Sequence, residues 1–264
     1  MPIEWLLYPA FGIVAGLLAG LLGVGGGLVL VAGLAWLLPS QGVPASVTMQ
    51  TALATSLATI VITGLASARA HHRRGSVLWP SVRWLLPGLL IGAWLGSGLA
   101  THLSGLWLRN GVALYCLLAA LQLWLDWPRA RATRDDSPRG AALSVAGVGI
   151  GVLSALVGIG GGSMTVPLLV WRGVPAVRAV GTSSACGAGI GLASALGYAT
   201  HTPAVAMPAG SWGYVYLPAA IGIALTSMLC APYGARLAHR LSGPALKKIF
   251  AVFLLAVGLA MGLQ

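Results

Sequence analysis

The sequence predicts an all-α polytopic membrane protein of 8 to 10 helical segments, built as two inverted-topology repeats that each contain a Gly-rich hairpin. Three observations predict it: long apolar runs in a chain almost without charge, a glycine motif that occurs twice in the same context, and arginines confined to alternate loops. Of 264 residues, 58% are hydrophobic and only 7% charged. Mean hydropathy is +0.90. Soluble domains carry about 25% charged residues, so this chain lacks the polar side chains to cover a water-facing surface. Ten tryptophans, many near predicted helix ends, suit an interfacial aromatic belt.

Apolar segments run roughly over 5–22, 28–38, 47–67, 84–101, 106–125, 141–157, 163–171, 177–199, 212–231 and 245–262. Several approach the ~20 residues that cross a bilayer. Segments 28–38 and 163–171 are too short to cross alone, and each follows a glycine cluster, GVGGG or GIGGG. A hydrophilic stretch at 126–140, DWPRARATRDDSPRG, divides the chain into a first membrane repeat over 1–125 and a second over 141–264. Landmarks recur in order. GLLAGLLGVGGG ends at Gly27 and GVLSALVGIGGG at Gly162, and GVPA occurs at 42–45 and 173–176. Thr51 then matches Thr182, Leu86-Pro87 matches Leu217-Pro218, and Leu-Ser-Gly occurs at 103–105 and 241–243. Duplication accounts for such a series better than chance.

The net charge of +11 would point to nucleic acid in a soluble chain. Here the cations lie in short runs between apolar segments, without any nucleic-acid-binding motif, and read as topology signal. RAHHRR at 69–74 and Arg129, Arg131, Arg134 and Arg139 of the linker assign those loops to the cytoplasm. Loop 39–46, uncharged, falls outside, as does 200–211, which has no Lys or Arg. Arg172, Arg178, Arg236, Arg240, Lys247 and Lys248 fall inside. These assignments agree if each glycine motif is the apex of a hairpin that enters and leaves on one side. Equivalent loops 39–46 and 172–178 then lie on opposite sides, and both termini are extracytoplasmic. An acidic residue, Glu4, stands where a signal peptide has basic ones, which predicts that none is removed.

The chemistry concentrates at the hairpins. A helix arm that begins within the membrane presents free N–H groups and the positive end of its dipole, which suit an anion. The candidate binding residues are Gly25, Gly26 and Gly27 in the first half, and Gly160, Gly161, Gly162 and Ser163 in the second, with Thr165 as a further donor. A second polar patch, Gln50, Thr51, Thr55 and Ser56, is matched by Thr182, Ser183 and Ser184. The competing reading of each is structural: glycines that let helices approach, and hydroxyls that bond between helices. The acids are Glu4, Asp126, Asp135 and Asp136, none of them mid-membrane, so an intramembrane carboxylate relay is missing. Cys116, Cys186 and Cys230 form no close pair and read as small apolar residues, not metal ligands. His71, His72 and His201 read as surface loop residues, and Arg83 and Arg109 as snorkelling side chains or attractors of anions.

With its paired GxGGG motifs at 23–27 and 158–162, GTSS at 181–184 and the two Leu-Ser-Gly turns, the chain resembles the sulfite exporter TauE/SafE family over about 5–262. The resemblance implies a bacterial or archaeal inner-membrane permease for sulfite, sulfoacetate or related anions. It also implies a core formed by Gly25, Gly26, Gly27, Gly160, Gly161, Gly162, Thr51 and Thr182. Gln50 stands where the second half has Gly181, so the two half-sites are unequal. The expected function is alternating-access transport of a small anionic solute in contact with membrane lipids, without enzymatic activity, cofactor, metal or nucleic acid. The coupling ion and oligomeric state stay open. The alternatives are a lipid-modifying membrane enzyme, which would need a His/Asp/Glu cluster that the sequence lacks, and a non-transporting scaffold.

Overall fold

The computed structural model describes residues 4–23, 26–125, 137–241 and 243–262. Five helices are long and apolar enough to cross a membrane: Ala45–His72, Trp79–His102, Gly105–Trp124, Ala176–Thr200 and Leu217–Ala238. The protein is an all-α polytopic membrane protein. Its helices among the described residues are α1 (Glu4–Leu22), α2 (Gly27–Leu37), α3 (Thr48–His72), α4 (Trp79–His102), α5 (Gly105–Trp124), α6 (Ala141–Val157), α7 (Gly162–Trp171), α8 (Ala176–Thr200), α9 (Leu217–Ala238) and α10 (Gly243–Gly262). Among the described residues these are ten α-helices, with two short 3-10 turns at Leu38–Gln41 and Ala45–Val47 besides. An antiparallel pair, β1 (Ser211–Trp212) with β2 (Val215–Tyr216), was not expected. It precedes α9 and occupies the start of the apolar run 212–231, where composition alone does not separate strand from helix.

Glycine ridges set the closest packing. Gly12, Gly16 and Gly20 form one stripe on α1 and lie against the backbone of α9 near Ile223, Ser227 and Ala231. Gly88, Gly92 and Gly96 form the corresponding stripe on α4, against Ser144, Val148 and Val152 of α6. A side chain at these positions would meet a carbonyl, so small residues are what allow these backbones to touch. In both contacts residue numbers rise together, so α1 runs parallel to α9 and α4 parallel to α6. α3 and α8 cross at a reciprocal pair: a Cβ on Gly64 would stand 3.0 Å from the Ala188 nitrogen, and one on Gly191 3.1 Å from the Val61 nitrogen. α5 packs on α10, and α2 and α7 pack on α3 and α8.

Inter-loop contacts define two ends. Ser81 donates to the Pro138 carbonyl, and Ser76 lies 3.5 Å from His239 Nε2, which joins the loops around 73–78, 137–140 and 239. Gln50 donates to the Leu103 carbonyl at 2.8 Å, and Pro208 lies beside Gly42, which joins 38–47, 103–105 and 208 at the other end. Arg73, Arg74, Arg83, Arg139, Arg172, Arg178 and Arg240 all belong to the first end. Exposed tryptophans Trp36, Trp79, Trp107 and Trp124 stand near helix termini, as an aromatic belt requires.

Two sequence expectations need correction. His71 does not lie in a surface loop. α3 continues to His72, and His71 is completely buried where the helix passes α1. The basic residues around it concealed the continuing helical pattern. The pairing of Leu86-Pro87 with Leu217-Pro218 also fails. Pro218 opens α9, whereas Pro87 lies inside α4. The residue that opens α4 in the same way is Pro80, because proline fits the first helical turn, where its missing N–H costs nothing.

Candidate functional site

Gly27, at the start of α2, meets the Gly158 carbonyl at the end of α6. Gly26 and Gly161 cap α2 and α7 with left-handed backbones, φ 69° and 72°, a region open to glycine at low cost. Neither cap supplies a side-chain hydrogen bond. Gly26 packs against Ala15 and Gly33 against the Phe11 ring, so α2 lies beside α1. Gly27 abuts the Gly158 carbonyl, with Ile159 close behind, so the start of α2 touches the second turn. Gly162 is the first residue of α7, and the Gly160 carbonyl faces Gly187 of α8, where a Cβ would stand 2.8 Å away. Gly25 lies outside the described residues.

Hydroxyls from α3 and α8 tie these turns down. Ser56 Oγ lies 3.1 Å from the Gly27 carbonyl and 3.0 Å from the Gly158 carbonyl, so one hydroxyl reaches both tips. Ser183 Oγ donates to the Gly23 carbonyl at 3.1 Å. Thr182 accepts from the Leu78 N–H at 3.0 Å, and Thr55 accepts from the Tyr216 N–H at 3.0 Å. Leu78 and Tyr216 are the residues that cap α4 and α9. Thr55-Ser56 and Thr182-Ser183 therefore do equivalent work. This register is one helical turn away from the Thr51-to-Thr182 match. Thr51 is buried and back-bonds to the Val47 carbonyl of its own helix. Gln50 holds the α4–α5 turn through its amide nitrogen, while its Oε1 is buried without a partner.

The starts of α2 and α7 differ in polarity. Ser163, second residue of α7, hydrogen-bonds Tyr115 of α5 at 2.6 Å. The buried hydroxyls of Ser154 and Thr165 have no partner, and Ser154 Oγ stands 3.2 Å from where a Gly161 Cβ would be. Ser163 and Thr165 belong to the first turn of α7, whose first N–H groups are open, and Ser154 stands beside its Gly161 cap. Leu28 is the second residue of α2, so the corresponding position there is apolar. A further contrast lies at the arm before each turn. His71 Nε2 donates to the Gly20 carbonyl at 3.0 Å, and Tyr198 donates to the Ala155 carbonyl at 3.1 Å. Tyr115 and Ser154 escaped the sequence reading because a lone hydroxyl in an apolar run gives no periodic signal. A phenol mid-span needs a polar partner when buried, and that could have marked Tyr115.

Comparison with known proteins bears on what such an arrangement is for. The profile of the family described as sulfite exporter TauE/SafE matches residues 8–261. A probable membrane transporter protein of Haemophilus influenzae is 38% identical over 261 residues, covering 96% of each chain. The probable membrane transporter protein YunE of Bacillus subtilis is 31% identical over 191 residues, 64% of this chain and 68% of its own. A probable membrane transporter protein of Methanocaldococcus jannaschii is 24% identical over 257 residues, covering 95% of this chain and 92% of its own.

Proposed function

Because the chain belongs to the sulfite exporter TauE/SafE family, we propose that it moves a small anion, sulfite or an organosulfonate, across the membrane as an alternating-access secondary transporter. The observation that carries this reading is the contact of Gly27 with the Gly158 carbonyl, bridged by Ser56, because it brings two interrupted helices together in the interior. Interrupted helices near the midplane are the recurring binding element of secondary transporters. The anion is held by the first amides of α2 and α7, from Gly27 and Gly162 onward, and by neutral hydroxyls, with Gly26 and Gly161 as the glycine caps that leave those amides without a side-chain partner. Ser163 and Tyr115 make the second half the stronger of two unequal half-sites. Ser56 and Ser183 hold the tips, while Thr182 anchors the start of α4, Gln50 holds the α4–α5 turn and Thr51 bonds back within α3. Neutral donors suit a cargo that must leave as readily as it enters.

The two halves, 1–125 and 141–264, form an inverted repeat in this reading. Its support is the exchange of partners: α1 runs parallel to α9 as α6 does to α4, and Tyr216 meets Thr55 as Leu78 meets Thr182. Exchange of partners under an in-plane two-fold lets one half rock against the other around a central site. The membrane end that carries most of the arginines is the cytoplasmic one.

The test is flux into proteoliposomes with a panel of sulfite, thiosulfate, C2 sulfonates and carboxylates. Saturable uptake of one anion class, lost in Gly161→Leu protein that still inserts, is the expected result. Flux equal to that of empty vesicles for every anion would remove the proposal.

A further inference from the structure

A groove of about 500 Å³ runs along the outer face of α3 and α9, lined by Ile62, Leu65, Ala66, Arg69, Arg73 and Met228, with Pro232 beside them. It lies on the exposed face of α3, turned away from the buried hydroxyls of Ser56 and Ser67. Its α3 residues recur every three to four positions and form one stripe. Ile62 and Leu65, 40% and 56% exposed, make the apolar end with Met228, 41% exposed. Arg69 and Arg73 follow one and two turns later, at the end where the other arginines gather. The stripe from Ile62 to Arg73 spans roughly 16 Å at the helical rise. Arg236, one turn beyond Pro232 on α9, stands at the same end and lies over the Tyr233 ring.

We propose that this groove is a binding site for one anionic phospholipid, with an acyl chain along Ile62, Leu65 and Met228 and the headgroup phosphate between Arg69 and Arg73. The gradation from apolar to cationic along a single slot matches a lipid's own gradation from chain to phosphate. A guanidinium pair presents donors in the fork geometry that phosphate oxygens fill. A small inorganic anion would leave the apolar end of the slot unused. A second copy of this chain is a poor occupant, because its four acidic residues, Glu4, Asp126, Asp135 and Asp136, all lie outside α3 and α9, so two such faces would oppose arginine to arginine.

The experiment is native mass spectrometry and thermal unfolding of the purified protein with phosphatidylglycerol, phosphatidylcholine or inorganic phosphate added. Phosphatidylglycerol is expected to stay bound and raise the unfolding temperature, while phosphatidylcholine and phosphate do neither. R69Q/R73Q removes exposed charge and leaves the fold intact; it should weaken phosphatidylglycerol retention about 30-fold. The double variant R83Q/R139Q removes two exposed arginines elsewhere and should retain the lipid fully. Equal retention by R69Q/R73Q, equal loss in R83Q/R139Q, or stabilisation by phosphate alone would each overturn the site. So would disulfide-linked dimers of a Leu65→Cys variant, which would assign the groove to a second copy.

Discussion

Replacing Ser56 by alanine removes a hydroxyl that reaches the carbonyls of both glycine tips, at 3.1 Å and 3.0 Å. Ser56 is completely buried, so no water replaces it at the surface. A buried neutral hydrogen bond contributes about 1 kcal/mol net. A loss of that size lowers the unfolding temperature by roughly 2–4 °C in a chain of this size class. If the bridged tips belong to the transport cycle, the same free energy lowers the population of the bridged state about fivefold, and anion flux with it. Ser183→Ala is the matched comparison, because Ser183 reaches the Gly23 carbonyl alone. It should cost similar stability with a smaller loss of flux. Proteoliposome flux and thermal unfolding, measured on both variants, decide the matter. Wild-type flux in Ser56→Ala would detach the tip contact from transport. An unchanged unfolding temperature would refute the bridge itself.

Gly27→Ala drives a Cβ into the Gly158 carbonyl and should abolish flux at about 1–3 kcal/mol of overpacking, whereas Gly149→Ala, with nothing within 4 Å, should be neutral by both flux and thermal unfolding. Thr182→Val leaves the Leu78 N–H buried without an acceptor and should cost about 1–3 kcal/mol in thermal unfolding; Thr55→Val should do the same through Tyr216. Cysteines introduced at Ser40 and Arg172, in a chain with Cys230 replaced by serine, should label with an impermeant maleimide from opposite sides; labelling from one side would refute the inverted repeat. Partial burial, and then the nearby Arg74 charge, hold the His239 imidazole below its usual range, with the His71 ring 5.4 Å away. The unfolded chain takes up that proton first, so stability present above pH about 6.5 should decline slightly as pH falls below it. Thermal unfolding of His239→Gln against pH should show that part of the decline removed.

Much of the helical architecture was legible because bilayer length and apolar composition are read directly from the chain. The short arms 28–38 and 163–171 became α2 and α7 nearly to the residue, since Gly26 and Gly161 mark their starts unambiguously. Boundaries failed where charge and helix coexist, as at Arg69 to His72. The residues of the candidate site were legible as a patch but not in register. Thr51 and Thr55 are one turn apart on one face, and both precede similar small residues. Which of them meets the opposite half depends on where the α8–α9 connection dips inward, through Tyr216, and no local pattern encodes that. Ser163 was legible from its place after the glycines, but its partner Tyr115 is 48 residues away, in a span whose periodicity records burial alone.

The partnership of α1 with α9 carries a consequence for how the molecule is made. The Gly12, Gly16 and Gly20 ridge leaves the ribosome some 200 residues before its counterpart near Ile223 to Ala235. Until then the ridge can meet only lipid or a helper protein, and the first tip has no Gly158 carbonyl against which to set. The segment that carries α1 to α5 therefore waits as an unfinished object until α6 to α9 are made. A ribosome stalled at the linker should leave a nascent chain that is inserted but protease-sensitive at Gly23 to Gly27, and the protection should arrive late and together, when α9 emerges to take up α1.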